Sequence, residues 1–179
     1  MASILGFKNR GQGFRIKVVM SLKKFSFRWS DVDANMHIKN TAYNDLFIQY
    51  RLSLLADMGY GMSEFRKLGI GPMIIHEHLY YIQEVRADGE VYIDLFLKGN
   101  SEDGKYMQFA QHLYNDKGEL SCFLDLTFVW LDVRARKLAI PPDDMLEQIW
   151  KLEKTDDYKI IDSKALKVAG VPYGKKVVV

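Results

Sequence analysis

Four extended runs cut by short polar turns constrain this chain most. Residues 73–84 are followed by Asp88-Gly89, residues 90–99 by Glu102-Asp103-Gly104, and residues 105–114 by Asn115-Asp116-Lys117-Gly118, before residues 119–132. Turn signals at that spacing between long neighbours specify an antiparallel meander. A fifth run, residues 22–29, alternates Phe25, Phe27 and Trp29 with polar neighbours and reads as a half-buried strand. Residues 41–58 contain neither Gly nor Pro and stop at Gly59, which predicts a helix with a glycine end. Its apolar residues are spread around most of its circumference, as expected of a helix wrapped by other structure. A shorter helical turn is predicted over residues 62–68, closed by Gly69, Gly71 and Pro72. The prediction is an α+β domain, a five-stranded antiparallel sheet wrapped around a central helix. Such a sheet has edges in need of cover, so edge-to-edge pairing into a homodimer or homotetramer is expected.

The domain is placed at residues 21–153. Residues 1–20, with three glycines among basic residues, read as a poorly ordered lead-in, and residues 154–179 as a tail. Pro141-Pro142 stops the last strand, and Asp143-Asp144 opens a helix to about Glu153. A chain that is 48% hydrophobic has enough apolar content for a core of its own. Its net charge of +2 gives no bias toward nucleic acid or a membrane as partner. The single cysteine, Cys122, excludes an internal disulfide and reads as a small core residue in a reducing compartment. No apolar run approaches the ~20 residues of a membrane span. The first 19 residues lack a secretory apolar stretch, and Met20, directly before Ser-Leu-Lys-Lys-Phe, is a candidate natural start. The expected location is the cytoplasm.

Chemistry concentrates in Asp31-Val32-Asp33-Ala34-Asn35-Met36-His37-Ile38-Lys39-Asn40, between the first strand and the long helix. Two carboxylates, an amide and an imidazole beside a helix start suit the activation of water next to a polarised carbonyl. Each residue also has a structural reading. Asp33 can close a turn or cap backbone amides, and Asn35 can hydrogen-bond a carbonyl or adopt a left-handed turn. His37 can orient water, hold Asp33, bind substrate or bond to backbone. Asp31 reads as a structural cap. Asn40 or Thr41 is the predicted N-cap of the helix, whose unpaired first amides and dipole favour negative charge. Arg51, in an otherwise apolar helix, reads as one half of a structural ion pair. His76 and His78 share a strand face, but two imidazoles do not make a zinc site, and no metal is expected. The sequence has no Gly-rich phosphate loop, Gly-x-Ser-x-Gly elbow or Cys-x-x-Cys pair, so the chemistry is expected to need no cofactor.

The element order over about residues 22–140, with Arg28-Trp29-Ser30-Asp31-Val32-Asp33, His37-Ile38-Lys39-Asn40 and the helix span from Tyr43 to Arg51, resembles the hotdog-fold thioesterases. More narrowly, it resembles the acyl-CoA thioesterases of the 4-hydroxybenzoyl-CoA thioesterase-like family. That resemblance places Asp33 on the family's catalytic acid. It makes Asn35 and His37 its neighbours in catalysis, and Asn40, Thr41, Tyr43 and Phe47 candidates for substrate binding. Asp33, Asn35 and His37 also resemble the Asp-x-Asn-x-His pattern of acyl-carrier-protein thioesterases. Lys39 stands where the family has Asn, and Tyr81-Ile82-Gln83-Glu84-Val85 departs from its Tyr-Leu-Arg-Pro. Gln49 stands where many relatives carry an acid, so no second nucleophile is expected on the helix. The implied substrate is an acyl-CoA or acyl-carrier-protein thioester, hydrolysed with Asp33 as general base or nucleophile. A non-catalytic acyl-thioester-binding module is the alternative. An apolar slot for the acyl chain is expected beside Phe47, Tyr50, Leu54 and Met58, and Arg66, Lys67, Lys98 and Lys105 are available on turns for the phosphates.

Overall fold

The alternating strands close into one sheet around the helix. The computed structural model describes residues 22–162. In order they form β1 (Lys23–Phe25), α1 (Asn40–Asp57), α2 (Met62–Leu68), β2 (Ile70–Tyr81), β3 (Val91–Asn100), β4 (Tyr106–Tyr114), β5 (Leu120–Asp132), β6 (Lys137–Leu138), α3 (Asp143–Trp150) and β7 (Lys154–Ile160). The five expected strands run β1-β3-β4-β5-β2 across the sheet, every neighbouring pair antiparallel. This is the α+β hotdog arrangement. The lead-in at 1–20 and the lysines from 164 onward lie outside the described residues.

The period of two decides what the sheet buries. Ile93, Leu95 and Leu97 of β3, Met107 and Leu113 of β4, and Leu124, Leu126 and Trp130 of β5 are almost fully enclosed. They meet Ala42, Tyr43, Leu46, Phe47 and Tyr50 of α1 in a single core. Each large apolar side chain so placed contributes about 1.5–3 kcal/mol. Cys122 is fully buried with them, and burial pushes its thiol up to about 12, as suits a core residue.

The structure departs from the sequence reading in several places besides the short β6, which pairs with β5 and with β7 makes the sheet seven-stranded. First, α1 buries only one flank, and Leu52 on the other side is 47% exposed. The apolar residues around that helix exceed what one curled sheet can cover. Second, β1 is only three residues long, because the backbone N–H of Arg28 turns away to the Asp31 carboxylate at 2.8 Å. Third, α3 stops at Trp150, since the carbonyl of Glu153 is drawn to the sheet by the Leu97 amide at 2.8 Å. Fourth, the segment assigned to a tail contributes β7, which lies parallel to β3. Gly99 makes that contact feasible: a Cβ there would stand 2.8 Å from the Lys159 carbonyl oxygen.

One edge of the sheet carries β1 and β7 side by side along β3. The other is β2, whose outer side pairs with no described strand. Along β2 and just beyond it, Met73, Ile74, Tyr80, Tyr81 and Ile82 are exposed. No helix among the described residues is long and apolar enough to cross a membrane.

Candidate active site

The loop before α1 is fixed by its own hydrogen bonds. Asp31, 6% exposed, takes the backbone N–H, Nε and Nη2 of Arg28, and this guanidinium holds its carboxyl below the usual carboxylate range. Its carbonyl oxygen accepts the Lys39 amide at 2.9 Å, tying the start of α1 to the end of the first strand segment. Asp31 is therefore a structural anchor. Val32 bridges to Ile38, the Asp33 amide reaches the His37 carbonyl at 2.8 Å, and the Met36 amide closes on the Asp33 carbonyl at 3.1 Å. The left-handed residue of this turn is Met36, with φ 61°, and not Asn35. Met36 takes the left-handed place offered to Asn35 because the Asp33 side chain locks the Asn35 amide.

Asp33 accepts the Asn35 and His37 amides on Oδ1, at 2.9 and 3.0 Å. Its other oxygen, Oδ2, has no hydrogen-bond partner among the described residues. The turn-closing reading of Asp33 is thus correct for one oxygen and leaves the second available. The His37 imidazole does not bond to Asp33; its Nε2 lies 3.5 Å from Glu84 Oε1. The loop is held from outside by residues 85–87, through Ile38 N–H to the Val85 carbonyl and Ala87 N–H to the Met36 carbonyl, both 2.8 Å.

The N-cap of α1 is Lys39, not Asn40 or Thr41, and no side chain caps the helix. Lys39 takes that place because its amide is already held by Asp31 and its extended backbone delivers the chain to the helix. Asn40 and Thr41, both exposed, become the first two helical residues. The amides of a helix's first turn have no acceptor within the helix. Tyr81 reaches the same end, donating to the Asn40 carbonyl at 3.3 Å and meeting the Tyr43 ring edge-on at 5.4 Å. Burial pushes the Tyr43 hydroxyl up to about 12, so it stays protonated at neutral pH.

Along the second half of α1 lies a cavity of ≈ 200 Å³ between helix and sheet. Leu54 and Met58 line it as expected, with Leu55, Leu95, Phe128 and Trp130, and its mouth is marked by Leu52 and Ile74. Phe47 and Tyr50 do not line it; both are fully enclosed in the core. Arg51 is its one charged lining residue. The expected ion pair of Arg51 does not form: Nη1 donates to Gln111 Oε1 at 2.6 Å, and no carboxylate of a described residue lies within 4.0 Å. Gln111 offers an amide because it faces inward between Phe109 and Leu113, where it also reaches the Phe47 carbonyl. Burial draws the guanidinium down to about 10, which still leaves it charged at neutral pH.

Two polar residues on or beside α1 were not singled out from the sequence. Asn44 Nδ2 donates to Glu77 Oε1 at 2.9 Å, while Asn44 Oδ1 and Glu77 Oε2 are buried without partners. Glu77 sits opposite Leu126 and so faces inward, a parity hidden by the two histidines flanking it. The rings of His76 and His78 lie 5.4 Å apart on the opposite face, tilted by 40° to one another. Among the described residues no group of three His, Cys, Asp or Glu side chains could hold a metal ion. Lys98 is in β3 and pairs with Asp125, Lys105 pairs with Asp103, and Lys67 with Glu64, so three of the four expected phosphate-binding cations are already engaged.

Residues 27–149 match the model of the thioesterase-like superfamily. Among solved structures, the fold is similar to a hypothetical protein of Staphylococcus aureus characterised in complex with CoA. The TM-score is 0.67 at 15% identity, over 89% of this chain and 94% of that one. It is also similar to the DHNA-CoA thioesterase of Staphylococcus aureus, with TM-score 0.61 at 18% identity over 67% of this chain and 79% of that one. A Thermus thermophilus thioesterase complexed with coenzyme A and Zn gives 0.61 at 16% identity, over 74% and 92%. No match to the sequence was found among curated proteins.

Proposed function

Because the chain belongs to the thioesterase-like superfamily, we propose that it hydrolyses an acyl-CoA to a carboxylic acid and free CoA, with Asp33 as the reacting carboxylate. The observation that carries this reading is the division within Asp33: Oδ1 is spent on two backbone amides, and Oδ2 has no hydrogen-bond partner among the described residues. A carboxylate held by one oxygen has a fixed direction and a free lone pair for a water proton or a carbonyl carbon. The uncapped start of α1 supports the other half of the chemistry. The Asn40 and Thr41 amides, with the helix dipole behind them, are suited to the negative charge that grows on the thioester oxygen. His37 and Asn35 then act through the loop: their amides position Asp33, and the imidazole is aimed at Glu84.

The free edge of β2 supports a homodimer in which two copies extend one sheet. Antiparallel pairing about the middle of β2 would set the Pro72 and Ile74 end of one copy against the Tyr81 end of its partner. The mouth of the cavity would then face the tip of the partner's central helix, giving the acyl chain an apolar slot next to the reacting carbonyl. Phosphates of CoA would meet Arg66 more readily than the three engaged lysines.

The test is release of free thiol from a panel of acyl-CoAs and matched acyl-carrier-protein thioesters by wild type and Asp33→Ala. CoA substrates are expected to turn over, and Asp33→Ala to lose most of the rate. Faster turnover of the carrier-protein thioesters would reassign the carrier. Saturable acyl-CoA binding without turnover would favour a binding module.

A further inference from the structure

A half-buried arginine in a fold often finds a carboxylate that matches its fork, because charge drawn away from water is costly. Arg51 has not found one. Its bond to Gln111 is to a neutral amide, and that amide is in turn held by the Phe47 carbonyl. The arrangement aims the guanidinium without neutralising it. The field of Glu77 reaches Arg51 from beyond contact, and Glu77 Oε1 is already taken by Asn44. Nε and Nη2 of Arg51 make no hydrogen bond to the described residues, and the side chain lines a cavity whose other walls are apolar or aromatic. A methionine would complete such a wall at lower cost if enclosure were the only requirement.

The position of the charge within the cavity follows from helix geometry. Long side chains on a helix lean toward its N-terminus. The shared partner Gln111 agrees with this, since it reaches both Arg51 and the carbonyl of Phe47, one turn earlier. The guanidinium therefore stands at the end of the cavity nearer the start of α1. The apolar walls of Leu54, Leu55, Met58, Trp130 and Ile149 lie beyond it. Charge at one end and hydrocarbon walls behind it complement a molecule with an anionic head and an aliphatic tail. At roughly 30 Å³ per water-sized group, the cavity holds about seven such groups.

We propose that this cavity binds an aliphatic carboxylate of about eight carbons, its carboxylate on the Arg51 guanidinium and its tail among Leu54, Leu55, Met58, Trp130 and Ile149. Two sources share that chemistry. One is a free fatty acid, which would be a product returning as an inhibitor. The other is the far carboxylate of a dicarboxylic acyl thioester, which would make Arg51 a specificity residue; this second source rests on the hydrolase reading.

The experiment is calorimetric titration of the full chain with octanoate and with octanol. Octanoate is expected to bind wild type, and Arg51→Met to weaken it tenfold to a hundredfold, while octanol binds both proteins alike. Leu52→Trp, which blocks the mouth from an exposed position, is expected to abolish octanoate binding and keeps the test decisive if Arg51→Met does not fold. Octanoate bound equally by wild type and Arg51→Met, bound no better than octanol, or not bound by wild type at all would overturn the proposal. Inhibition of octanoyl-CoA turnover by octanoate in wild type, relieved in Arg51→Met, identifies the free acid. Preference for an ω-carboxyoctanoyl-CoA over octanoyl-CoA, reversed in Arg51→Met, identifies the thioester. Octanoate binding without any turnover would sink the hydrolase reading alone, and turnover without octanoate binding would sink this inference alone.

Discussion

At the scale of single residues, the role proposed for Asp33 rests on one oxygen holding two backbone amides and the other having no partner among the described residues, and two substitutions test it. Asp33→Asn keeps an acceptor for the Asn35 and His37 amides but removes the negative charge. It is expected to lower kcat by about 100- to 10,000-fold with little change in Tm. Asp33→Ala is expected to lose as much activity and also about 1 kcal/mol of stability, from two amides left without their acceptor. Thiol-release kinetics beside thermal melts check both. A second expectation concerns Asp103, which Lys105 and Ser101 hold at about 2. A carboxyl depressed in the folded state stabilises it above the unfolded value near 3.8 and loses that contribution as pH falls toward about 2. Replacing it by Asn should flatten the acid limb of a stability profile between about pH 4 and pH 2, read by urea unfolding. The anchoring role of Asp31 was legible from sequence, since an acid three residues after Arg28 and ahead of a helix has local partners. The partner of Arg51 was not, because Gln111 lies sixty residues away and only strand register shows that it faces inward.

The helices and strands were legible wherever a local signal acts alone. Glycine and proline punctuation gave α2 and the meander, and Gly59, Gly69, Gly104 and Gly118 all adopt the positive φ that those turns need. Where tertiary bonds compete with the local pattern, the boundaries moved. The alternation through Phe27 and Trp29 continues the strand on paper, yet the Arg28 to Asp31 contact ends it at Phe25 and leaves Trp29 76% exposed. Strand β7 gave no readable signal because only Thr155 and Tyr158 in it are shielded at all, and its parallel pairing depends on β3. Gly99→Ala tests that pairing directly. The added methyl would meet the Lys159 carbonyl at 2.8 Å, as well as Gln108 Oε1 and Ile161 Cγ2, both at 3.2 Å. The expected cost is about 1–3 kcal/mol, with faster amide exchange confined to residues 154–161 as the measurement that locates it.

For the whole molecule, the sheet's two borders differ in kind. One is divided between short β1 and a β7 that carries Lys154, Asp156, Asp157 and Lys159. The other, β2, is long, exposes Met73, Ile74, Tyr80 and Tyr81, and pairs with no described strand on its outer side. Sedimentation velocity is expected to give about twice the 20.8 kDa chain mass. Placing lysines at Met73 and Ile82 together should return the protein to a single chain, since charge on an edge is how sheets discourage pairing. This asymmetry also limits how far self-association can run. In a pair joined through β2, each outward rim of the described residues would be short or would carry charges of both signs, and would offer a poor template for a third copy. Growth by sheet extension would then stop at the first step instead of continuing into a fibre.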